Sequence, residues 1–445
     1  ISGLCAAHLF SKYYKRENVL LLESAKWVGG TALTDRVDGF NCDWGPNGWL
    51  DKEPRTKQWV KELGLEDYMV QANPTAQKRF ILKNNALHEI KPPPAFLRTK
   101  ILTLGGKLRL MREPLVGKKK NNKPESIHNF AVRRIGRQAA DMLVVPMVSG
   151  VFGGDAKKLS LEHCFPKMHE MEMQYGSLYK ALKAKKKEDP NASAMGPSGT
   201  LTSLRDGMWM LPAAAQKQLG DSIKTNCPVT KIECRDRQFF VQTADGTEYM
   251  PEALVMATPS HVAGELFLDV ERGAAAALSS IPYCGINVLC AGFRREAVGH
   301  DLDGFGFLAP RKQGTRALGC LWTSSIFPNR APEGWVLLRA MYGGGLDPEA
   351  LKLSDKDTVE TFCREMAPLL SFTHTPEFVR IFRHKKAIPQ YSLDHGKHLR
   401  TIEHVEKNFK GLAFAGNAYR GIGINDCVNS AHRAFGMIKE QVQQD

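Results

Sequence analysis

The stretch ISGLCAAHLFSKYYKRENVLLLE, residues 1–23, decides the fold that we predict for this chain. Its first ten residues place small side chains at positions 2, 3, 6 and 7 and apolar ones at positions 1, 4, 9 and 10. This spacing predicts a helix packed closely on a sheet. Residues 18–23, NVLLLE, then predict a parallel strand buried on both faces. Together they indicate the second half of a βαβ unit.

A glycine and an acid within this unit predict a nucleotide site. Gly3 stands where the helix begins, and Glu23 ends the strand 20 residues later. N–H groups at a helix start attract a pyrophosphate, and an acid at this spacing accepts the hydroxyls of a ribose. The earlier strand and its G-x-G glycines do not precede Ile1, so we expect the natural N-terminus to be longer. An ordinary βα unit is the alternative.

Length and composition limit the classes of protein. The 445 residues suffice for two or three domains, and the net charge of +14 indicates an anionic partner such as a membrane surface or an acidic substrate. Nucleic acid is not predicted, because the sequence has no zinc-finger spacing and no aromatic-interleaved basic motif. The 10 cysteines without a C-x-x-C pair indicate reduced core thiols, and the 13 scattered histidines predict no metal site. No run of about 18 apolar residues predicts a membrane-spanning helix.

A glycine pair follows the first strand. The segments WVGGTALT (27–34), DGF (38–40) and DWGPN (43–47) carry glycine backbone that can pass close to a phosphate or a flavin. Here the chain resembles the superfamily of flavin-dependent amine oxidases and protoporphyrinogen oxidases, whose second glycine motif is G-G-x-x-x-T with a later G-F/Y-x-x-D-x-G. Thr31 stands where many members carry arginine, which leaves one phosphate contact open.

Later stretches also carry recognisable patterns. A helix is predicted over residues 50–65, and a hairpin over residues 79–90 turns at Asn84-Asn85. Alternation of apolar and polar residues over 281–399 predicts an antiparallel sheet that forms one wall of a cavity. Residues 416–426 carry glycine backbone into a final helix, which would offer a second set of free N–H groups.

Residues 91–199 are predicted to be helical and basic. The basic residues are Lys107, Arg109 and Arg112 with the runs 118–120 and 183–187, and the apolar stretches 94–97, 101–104 and 142–148 lie among them. Basic clusters beside exposed apolar residues suit an anionic bilayer, and a solvated surface is the alternative. This predicts a peripheral protein at the cytoplasmic face of a membrane, with the cytoplasm as the alternative location, and it leaves a homodimer open.

Spaced blocks of sequence narrow the resemblance. They are GPN (45–47), SGVFGGD (149–155) with LS (159–160), FPNRAP (327–332), IPQY (388–391), and GN (416–417) with NDC (425–427). In this order, along nearly the whole chain, they are similar to the oxygen-dependent, FAD-containing protoporphyrinogen oxidase family. The resemblance implies the removal of six electrons from a porphyrinogen in three steps. Each step passes a hydride to FAD, and O2 reoxidises the flavin to give H2O2.

The resemblance also implies an architecture. It is an α/β fold with a Rossmann-like FAD-binding domain, an antiparallel-sheet substrate domain and an inserted helical membrane-binding domain. The implied boundaries are 1–72, 201–272 and 401–445 for the FAD-binding domain, 73–90 and 273–400 for the substrate domain, and 91–200 for the helical domain.

The cofactor-binding residues are carried over from the family by position. Val229 is expected where a backbone amide and carbonyl meet the adenine ring, and Asn47 is expected beside the flavin ring. Without the resemblance, Val229 would be a plain strand residue and Asn47 a turn asparagine. The full implied set is Ile1, Ser2, Gly3, Glu23, Ser24, Gly30, Thr31, Trp44, Gly45, Pro46, Asn47, Val229, Gly416, Asn417, Ile422, Gly423 and Ile424.

The substrate-binding residues are carried over in the same way. Arg79 corresponds to the family arginine that pairs with a substrate propionate, for which a guanidinium is suited. Gly150 matches the catalytic-site glycine whose carbonyl lies over the macrocycle centre. Leu308 and Leu321 correspond to leucines that sandwich a pyrrole ring, and Met341 stands where plant-type enzymes carry phenylalanine, so a thioether contact replaces stacking. Without the resemblance, Arg79 would be a surface strand arginine and Gly150 a loop glycine with positive φ. Leu308, Leu321 and Met341 would be core residues.

Three rival functions stay open. The first rival substrate is coproporphyrinogen III, which has four propionates rather than two; the positive charge slightly favours it, but membrane lipids explain that charge equally well. An amine oxidase of the same superfamily is a second rival, although no tyrosine pair that would bracket an amine can be placed in the sequence. A non-catalytic flavin or porphyrin carrier at a membrane is the third.

Overall fold

The structure is a computed structural model that describes residues 1–92, 95–121, 123–188 and 199–442. The strands are β1 (Leu21–Leu22), β2 (Thr34–Val37), β3 (Phe40–Asp43), β4 (Trp49–Leu50), β5 (Met69–Gln71), β6 (Phe80–Lys83), β7 (Ala86–Glu89), β8 (Leu201–Leu204), β9 (Ile223–Lys224), β10 (Val229–Arg235), β11 (Gln238–Thr243), β12 (Glu248–Tyr249), β13 (Leu254–Met256), β14 (Tyr283–Arg294), β15 (Gly306–Leu308), β16 (Gly319–Trp322), β17 (Trp335–Gly343), β18 (Phe378–Pro389) and β19 (Leu412–Phe414).

The helices alternate with these strands. They are α1 (Ser2–Tyr13), α2 (Pro54–Glu62), α3 (Leu104–Met111), α4 (Ile127–Ile135), α5 (Arg137–Ala139), α6 (Val145–Phe152), α7 (Leu161–Cys164), α8 (Pro166–Tyr175), α9 (Leu178–Glu188), α10 (Met210–Leu219), α11 (Ser260–Leu266), α12 (Arg272–Ser279), α13 (Thr323–Ile326), α14 (Asp355–Leu370), α15 (His395–Asn408) and α16 (Ile424–Val442). A π turn, Ala140–Val144, joins α5 to α6.

A seven-stranded sheet has the order β18-β14-β17-β16-β15-β6-β7 and lies in the predicted substrate domain. Its strands are antiparallel except β15 and β6, which run parallel, so the prediction of an antiparallel sheet is corrected at this junction. The reason is that the hairpin β6–β7 comes from a distant part of the chain and is not bound by a short turn to β15. Phe362, Met366 and Leu370 of α14 cover one face of the sheet.

Two short parallel ladders lie in the part of the chain that is predicted to bind a nucleotide. β1 pairs with β9 and β13 pairs with β19, and an ideal Cβ on Gly3 would lie 3.2 Å from Ala257 Cβ and 3.8 Å from Leu21 Cδ1. Helix α1 therefore begins between the two ladders, as the predicted βα unit requires. The overall class is a mixed α/β fold, but the described residues form two separate ladders here rather than one continuous Rossmann-like sheet.

The first predicted strand is shorter and more exposed than the sequence indicated. Arg16–Asn18 forms a 3-10 turn, Leu20 is 41% exposed, and only Leu21–Leu22 joins the ladder. The reason is that β1 pairs with β9 along one edge within the described chain, so the continuous apolar run is not enclosed from both sides.

The predicted helix over residues 50–65 is also shorter. Leu50 belongs to β4 and pairs with Leu201, whereas α2 begins at Pro54 after Glu53, whose carboxylate accepts from Arg55 N. A proline at the first helical position favours this start. The predicted buried side of the helix is confirmed, because Trp59 and Val60 are buried.

Turns and thiols agree with the sequence. Asn84 and Asn85 adopt φ values of 50° and 56° between β6 and β7, as a tight hairpin turn requires. All ten cysteines are free thiols, and among the described residues no group of three or more metal-binding side chains occurs.

The segment between β7 and β8 is helical where it is described. The structure does not describe residues 93–94, 122 and 189–198 of this segment, nor the side chains of the basic residues 185 and 186. Phe96, Ile101 and Leu102 are buried in a small core with Ala139, which corrects the expectation of exposure for these three residues. Leu97 and Leu104 of the same stretches are exposed, as expected. No helix in the described ranges is both long and apolar enough to span a bilayer.

Candidate active site

The predicted substrate residues line one face of the seven-stranded sheet. Leu308 and Met341 both pair with Gly319, and Leu321 lies two residues along the same strand, so the three side chains point to the same side. All three are half-buried, whereas the intervening residue Cys320 is fully buried on the opposite side. We call the surface of Leu308, Leu321 and Met341 the open face. Gly319 lies at its centre, where an ideal Cβ would be 2.4 Å from Phe307 O, so the neighbouring strand leaves no room for a side chain.

Helix α6 lies against the open face at Gly150. An ideal Cβ on Gly150 would lie 2.6 Å from Leu308 Cδ2, so a larger residue here would force the Leu308 side chain to move. Gly150 is helical, which rules out the alternative of a loop glycine with positive φ. Its carbonyl oxygen is in the last turn of α6 and accepts no hydrogen bond from any described residue. A free acceptor therefore lies beside the open face.

The end of α6 is fixed to the sheet by neighbouring segments. Gln390 Nε2 donates to Phe152 O at 2.8 Å, and Gly345 N donates to Gly153 O at 2.6 Å. The sequence blocks 149–155, 343–345 and 388–391 therefore meet at one place. This contact holds Gly150 at a set distance from the sheet.

Arg79 lies at the margin of this sheet, directly before β6. Its guanidinium lies 5.2 Å from the centre of the Phe305 ring, and within the described ranges no carboxylate pairs with it. The adjacent Lys78 pairs with Asp303, so that acid is already occupied. Arg79 is exposed and free to bind an anion.

The predicted flavin-ring segment, residues 44–47, lies against the same sheet. Arg339 Nη2 donates to Gly45 O at 2.6 Å, and His384 Nε2 donates to Trp44 O at 3.1 Å. Burial lowers the pKa of His384, which keeps the ring neutral. Arg339 pairs with Leu321 across the ladder, so it belongs to the open-face side. The sheet therefore positions this segment through two side chains.

The glycine pair and the following segment approach each other closely. An ideal Cβ on Gly45 would lie 2.8 Å from Thr31 O, whereas one on Gly30 would meet nothing within 4 Å. Gly29 and Gly30 adopt φ values of 98° and 63°, which glycine tolerates best. Thr31 is thus close to Gly45, and Gly30 faces open space.

Glu23 is held at the end of β1. Its carboxylate accepts from Ala25 N at 2.9 Å and from Ser24 Oγ at 3.3 Å, and its carbonyl accepts from Cys227 N at 2.9 Å. This contact brings the predicted ribose acid near the start of β10, where Val229 lies half-buried. Val229 belongs to the separate three-stranded sheet β10-β11-β12.

Two aromatic side chains order the closing glycine segment. Tyr391 Oη donates to Asn417 O at 2.5 Å and accepts from Gly421 N at 2.8 Å. The His395 ring stacks on Tyr391 at 4.2 Å, and its Nε2 donates to Tyr419 O at 2.9 Å. Burial lowers the pKa of His395 to about 4, so the ring is neutral near pH 7.

The start of α16 corrects one expectation. Gly423 N donates to Asp426 Oδ2 at 2.9 Å, so this N–H group is not free for a ligand. An acid three residues ahead is a common helix cap. Gly416 retains a φ of 143° and its N–H donates to Ser430 Oγ at 3.0 Å.

The opening and closing helices meet, and the closing segment also reaches α6. Ser2 Oγ donates to Cys427 O at 3.1 Å, and Asn425 Nδ2 donates to Leu50 O at 2.9 Å. Ile422 packs on the core that contains Phe152. The segment around residues 416–424 is therefore in contact with both α1 and the helix that carries Gly150.

Comparison with known proteins identifies the group to which this geometry belongs. A model of the flavin-containing amine oxidoreductase family matches residues 1–434. The chain belongs to this family. It is accordingly an oxidoreductase, and FAD is its cofactor.

Relatives of this flavin-containing amine oxidoreductase cover nearly its whole length. The chain is 31% identical to protoporphyrinogen oxidase 1 of Arabidopsis thaliana chloroplasts, over 97% of this chain and 85% of the relative. It is 27% identical to the coproporphyrinogen III oxidase of Bacillus subtilis, over 98% of this chain and 95% of the relative. A crystal structure of a provisionally named protoporphyrinogen oxidase from Exiguobacterium sp. 255-15 has the same fold, with a TM-score of 0.84, 22% identity and coverage of 100% and 97%.

The residues present fit the FAD of this family. Asn47 Nδ2, Thr258 Oγ1 and Arg339 Nε are buried without a partner among the described residues, as expected for groups that a bound ligand completes. Thr258 follows β13 at the side where Gly3 approaches Ala257. Sequence reasoning missed Arg339 and Thr258, although an arginine inside the apolar run WVLLRAMYG (335–343) was a visible signal for the first.

Replacing Tyr391 by phenylalanine is expected to weaken FAD binding about tenfold. The change leaves Gly421 N–H and Asn417 O without their buried partner, and such losses cost about 1–3 kcal/mol each, part of which is recovered by local rearrangement. The dissociation constant for FAD, measured by flavin fluorescence during titration of deflavinated protein, checks this expectation.

Tyr419→Phe is the matched control for that substitution. Tyr419 is 1% exposed and lies in the same segment, but its hydroxyl has no partner within the described chain. Its removal is therefore expected to leave the FAD affinity unchanged. Equal losses in the two variants would contradict a role for the Tyr391 hydroxyl.

Proposed function

We propose that the chain oxidises a porphyrinogen to a porphyrin, with protoporphyrinogen IX as the substrate and O2 as the final electron acceptor. The observation that carries the proposal is the open face of Leu308, Leu321 and Met341, with the free Gly150 carbonyl on one side and the unpaired Arg79 at its margin. A flat, largely apolar ring with carboxylates at its edge matches this arrangement. The similarity to enzymes named porphyrinogen oxidases supports the same substrate class.

Each part of the site has a task in this reaction. Bound FAD supplies an acceptor for hydride and an electron donor to O2. The open face holds the macrocycle by apolar contact, Gly150 O accepts from pyrrole N–H groups, and Arg79 pairs with a propionate. The chain thereby orients the substrate and excludes water. No side chain has to act as a nucleophile, because the bound flavin accepts the hydride.

Coproporphyrinogen III is the second candidate substrate. It carries four propionates instead of two, and the net charge of +14 would suit the additional carboxylates. The similarity to the Bacillus subtilis coproporphyrinogen III oxidase supports this candidate as well.

Product fluorescence tests the proposal directly. The purified holoprotein is mixed with each reduced porphyrinogen in air, and porphyrin emission and H2O2 are recorded together. We expect three molecules of H2O2 per porphyrin, because six electrons leave the substrate in two-electron steps. Turnover of monoamines or polyamines without any porphyrin emission would favour an amine oxidase, and the absence of H2O2 would favour a carrier.

Arg79→Ala is expected to weaken porphyrinogen binding by about 2 kcal/mol, the scale of a charge-assisted hydrogen bond. The KM for porphyrinogen should therefore rise about 30-fold, while the FAD dissociation constant stays the same. Steady-state kinetics and flavin titration of the same preparation provide the two measurements.

Arg235→Ala is the matched control for Arg79. Its guanidinium also lies over a phenylalanine ring, Phe240, at 4.9 Å, but it pairs with Glu233 and belongs to another sheet. We expect no change in KM. A parallel loss of FAD in Arg79→Ala would indicate misfolding instead of a lost substrate contact.

We further propose that α3 attaches the protein peripherally to an anionic membrane, at its cytoplasmic face. Leu104, Leu108 and Met111 of α3, with Leu115 of the following 3-10 turn, are 74%, 51%, 55% and 83% exposed, and the four residues form what we call the apolar face of α3. The spacing of the first three places them on one side of the helix. Such a row of exposed leucines supports contact with an apolar phase.

Not every basic residue of this region is available to lipid. Arg112, Lys118 and Lys120 are exposed beside the apolar face of α3. Arg109 instead donates to Arg134 O at 3.1 Å and to Arg133 O at 2.7 Å, where it satisfies carbonyls at the end of α4. The predicted basic cluster is therefore smaller than the sequence indicated.

Replacing Leu104, Leu108 and Leu115 by serine is expected to reduce binding to anionic liposomes by at least 100-fold. Each buried leucine contributes about 1.5–3 kcal/mol, and raised salt should weaken the remaining electrostatic attraction. Liposome co-sedimentation at several salt concentrations measures both effects. Leu268→Ser is the control, because Leu268 is also exposed, at 56%, but lies between α11 and α12. If liposome binding does not change with salt concentration, the basic residues do not contribute to membrane attachment.

A further inference from the structure

Arg339 is a buried cation without a counter-ion. It is 4% exposed, and the one hydrogen bond that its guanidinium makes with a described residue is the 2.6 Å bond from Nη2 to Gly45 O. Nε is buried and has no partner, and no carboxylate lies within 4.0 Å of the guanidinium in the described chain. Arg134 and Arg330, both 0% exposed, behave differently because they pair with Glu113 and Asp43.

An uncompensated buried charge is costly, so its retention points to an anion that arrives with a ligand. A guanidinium in a water-poor site loses its hydration and gains nothing in return unless a negative group faces it. The unpaired Nε shows that donor capacity remains. The position of Arg339 on the open-face side makes it accessible to a ligand bound there.

The position of Arg339 favours the cofactor over the substrate as the source of that anion. Arg339 is hydrogen-bonded to Gly45, within the segment 44–47 that the family resemblance predicts beside the flavin ring, and His384 donates to the preceding carbonyl. Arg79, the residue suited to a substrate carboxylate, lies three strand spacings away along the order β17-β16-β15-β6, about 14 Å at the usual strand separation.

We propose that Arg339 is the counter-cation for the negative charge that FAD gains when it accepts a hydride, and that it raises the reduction potential of the flavin. This inference rests on the flavin oxidation chemistry of the proposed function and on the predicted position of the flavin ring beside residues 44–47, but not on the identity of the substrate. A hydride brings two electrons and one proton to the neutral oxidised ring, which leaves the ring with one negative charge. The substrate loses its second proton, from a pyrrole nitrogen, to water. O2 then takes two electrons and two protons to give H2O2.

The test is the two-electron midpoint potential of FAD in Arg339→Met holoprotein, measured against a reference dye. We expect the equilibrium to shift at least tenfold toward oxidised flavin, which is about 30 mV for a two-electron couple. Sulfite is a second probe, because its adduct also places negative charge on the ring; its dissociation constant should rise at least tenfold. Neither measurement requires porphyrinogen, so both remain informative if the proposed substrate is wrong.

Further variants separate charge from packing. Arg339→Gln keeps a donor for Gly45 O without the charge and should lower the potential like Arg339→Met, whereas Arg339→Lys should retain most of the wild-type value. Arg383→Met removes a positive charge from the same sheet and should leave the midpoint potential unchanged, because Arg383 pairs through Asn287 with Tyr342 and therefore lies on the opposite face from Arg339. An unchanged potential with a raised KM for porphyrinogen would overturn the inference and assign Arg339 to a substrate carboxylate. Should Arg339→Met not fold, Arg339→Gln and Arg339→Lys decide in the same way.

Discussion

Replacing Gly150 by alanine is expected to lower kcat/KM for a porphyrinogen about 100-fold, because a misplacement of about 1 Å beside the reacting atoms has effects of this scale. The added methyl group would lie 2.6 Å from Leu308 Cδ2. Carbon atoms in contact are normally about 3.5–4.0 Å apart, so one of the two groups must move. The move takes place inside the proposed substrate site.

The same substitution is not expected to destabilise the protein. The obstructing atom is the end of a flexible leucine side chain, which can change rotamer, and Gly150 lies inside α6. Alanine is favoured over glycine in a helix interior by about 0.5–1 kcal/mol. Activity and the free energy of unfolding should therefore change in opposite directions, which a general folding defect would not produce.

Two variants make this prediction specific. Adding Leu308→Val to Gly150→Ala removes the δ carbons and should restore at least a tenth of the wild-type kcat/KM. Gly436→Ala is the matched control, because Gly436 is helical in α16 and an ideal Cβ there meets nothing within 4 Å. It should leave kcat/KM unchanged. If Gly150→Ala retains full kcat/KM, Gly150 does not lie over the substrate.

Local patterns in the sequence predicted much of the sheet, and the Asn84-Asn85 pair is enough to predict its turn. Leu308, Leu321 and Met341 were predicted from the family resemblance, because periodicity alone would make them core residues, and their position on one side follows from the register of β15, β16 and β17. The cap of α16 could also have been predicted from the sequence, because Asp426 stands three residues after Gly423. The ligand contacts of these residues stay predictions from the family resemblance.

Other features depend on contacts between distant parts of the chain. The parallel junction of β6 with β15 joins residues more than 220 positions apart, and no local pattern specifies its direction. The sequence counts Arg109 among the basic residues of a membrane surface, but in the fold its guanidinium donates to a carbonyl at the end of α4. The isolation of Arg339 is likewise a tertiary property, since its surroundings come from β14, β16 and the segment at Gly45.

The helical segment that presents Gly150 depends on a buried ion pair. Arg134 on α4 is 0% exposed, pairs with Glu113, and also donates to Val116 O at 2.9 Å and to Gly176 O at 3.1 Å. Glu113 in turn accepts from Ser177 Oγ at 2.7 Å. These bonds connect α4 to the segments before it and after α8. Because α5 and the π turn lead from α4 directly into α6, the pair supports the position of Gly150.

Replacing Arg134 by methionine is expected to lower the free energy of unfolding by about 3–5 kcal/mol, since it leaves the Glu113 carboxylate buried without its cation. Chemical denaturation followed by tryptophan fluorescence measures the loss. Arg137→Met is the matched control, because Arg137 begins the next helical turn but is exposed and has no side-chain partner within the described residues. It should change the free energy of unfolding by less than about 0.5 kcal/mol.

The pH dependence gives a second check on the ion pair. Burial raises the pKa of Glu113, but hydrogen bonds from Ser177, Arg134 and two backbone N–H groups outweigh it and hold the pKa below the ordinary value of 4.5. A carboxyl whose folded pKa is depressed stabilises the fold above its unfolded pKa, and this contribution is lost as pH falls through the folded pKa. In Arg134→Met the pKa of Glu113 should rise, so the difference in free energy of unfolding between the wild type and the variant should shrink as pH falls below 4.5 and Glu113 becomes protonated. A difference that stays constant with pH would contradict the pairing of Arg134 with Glu113 as a source of stability.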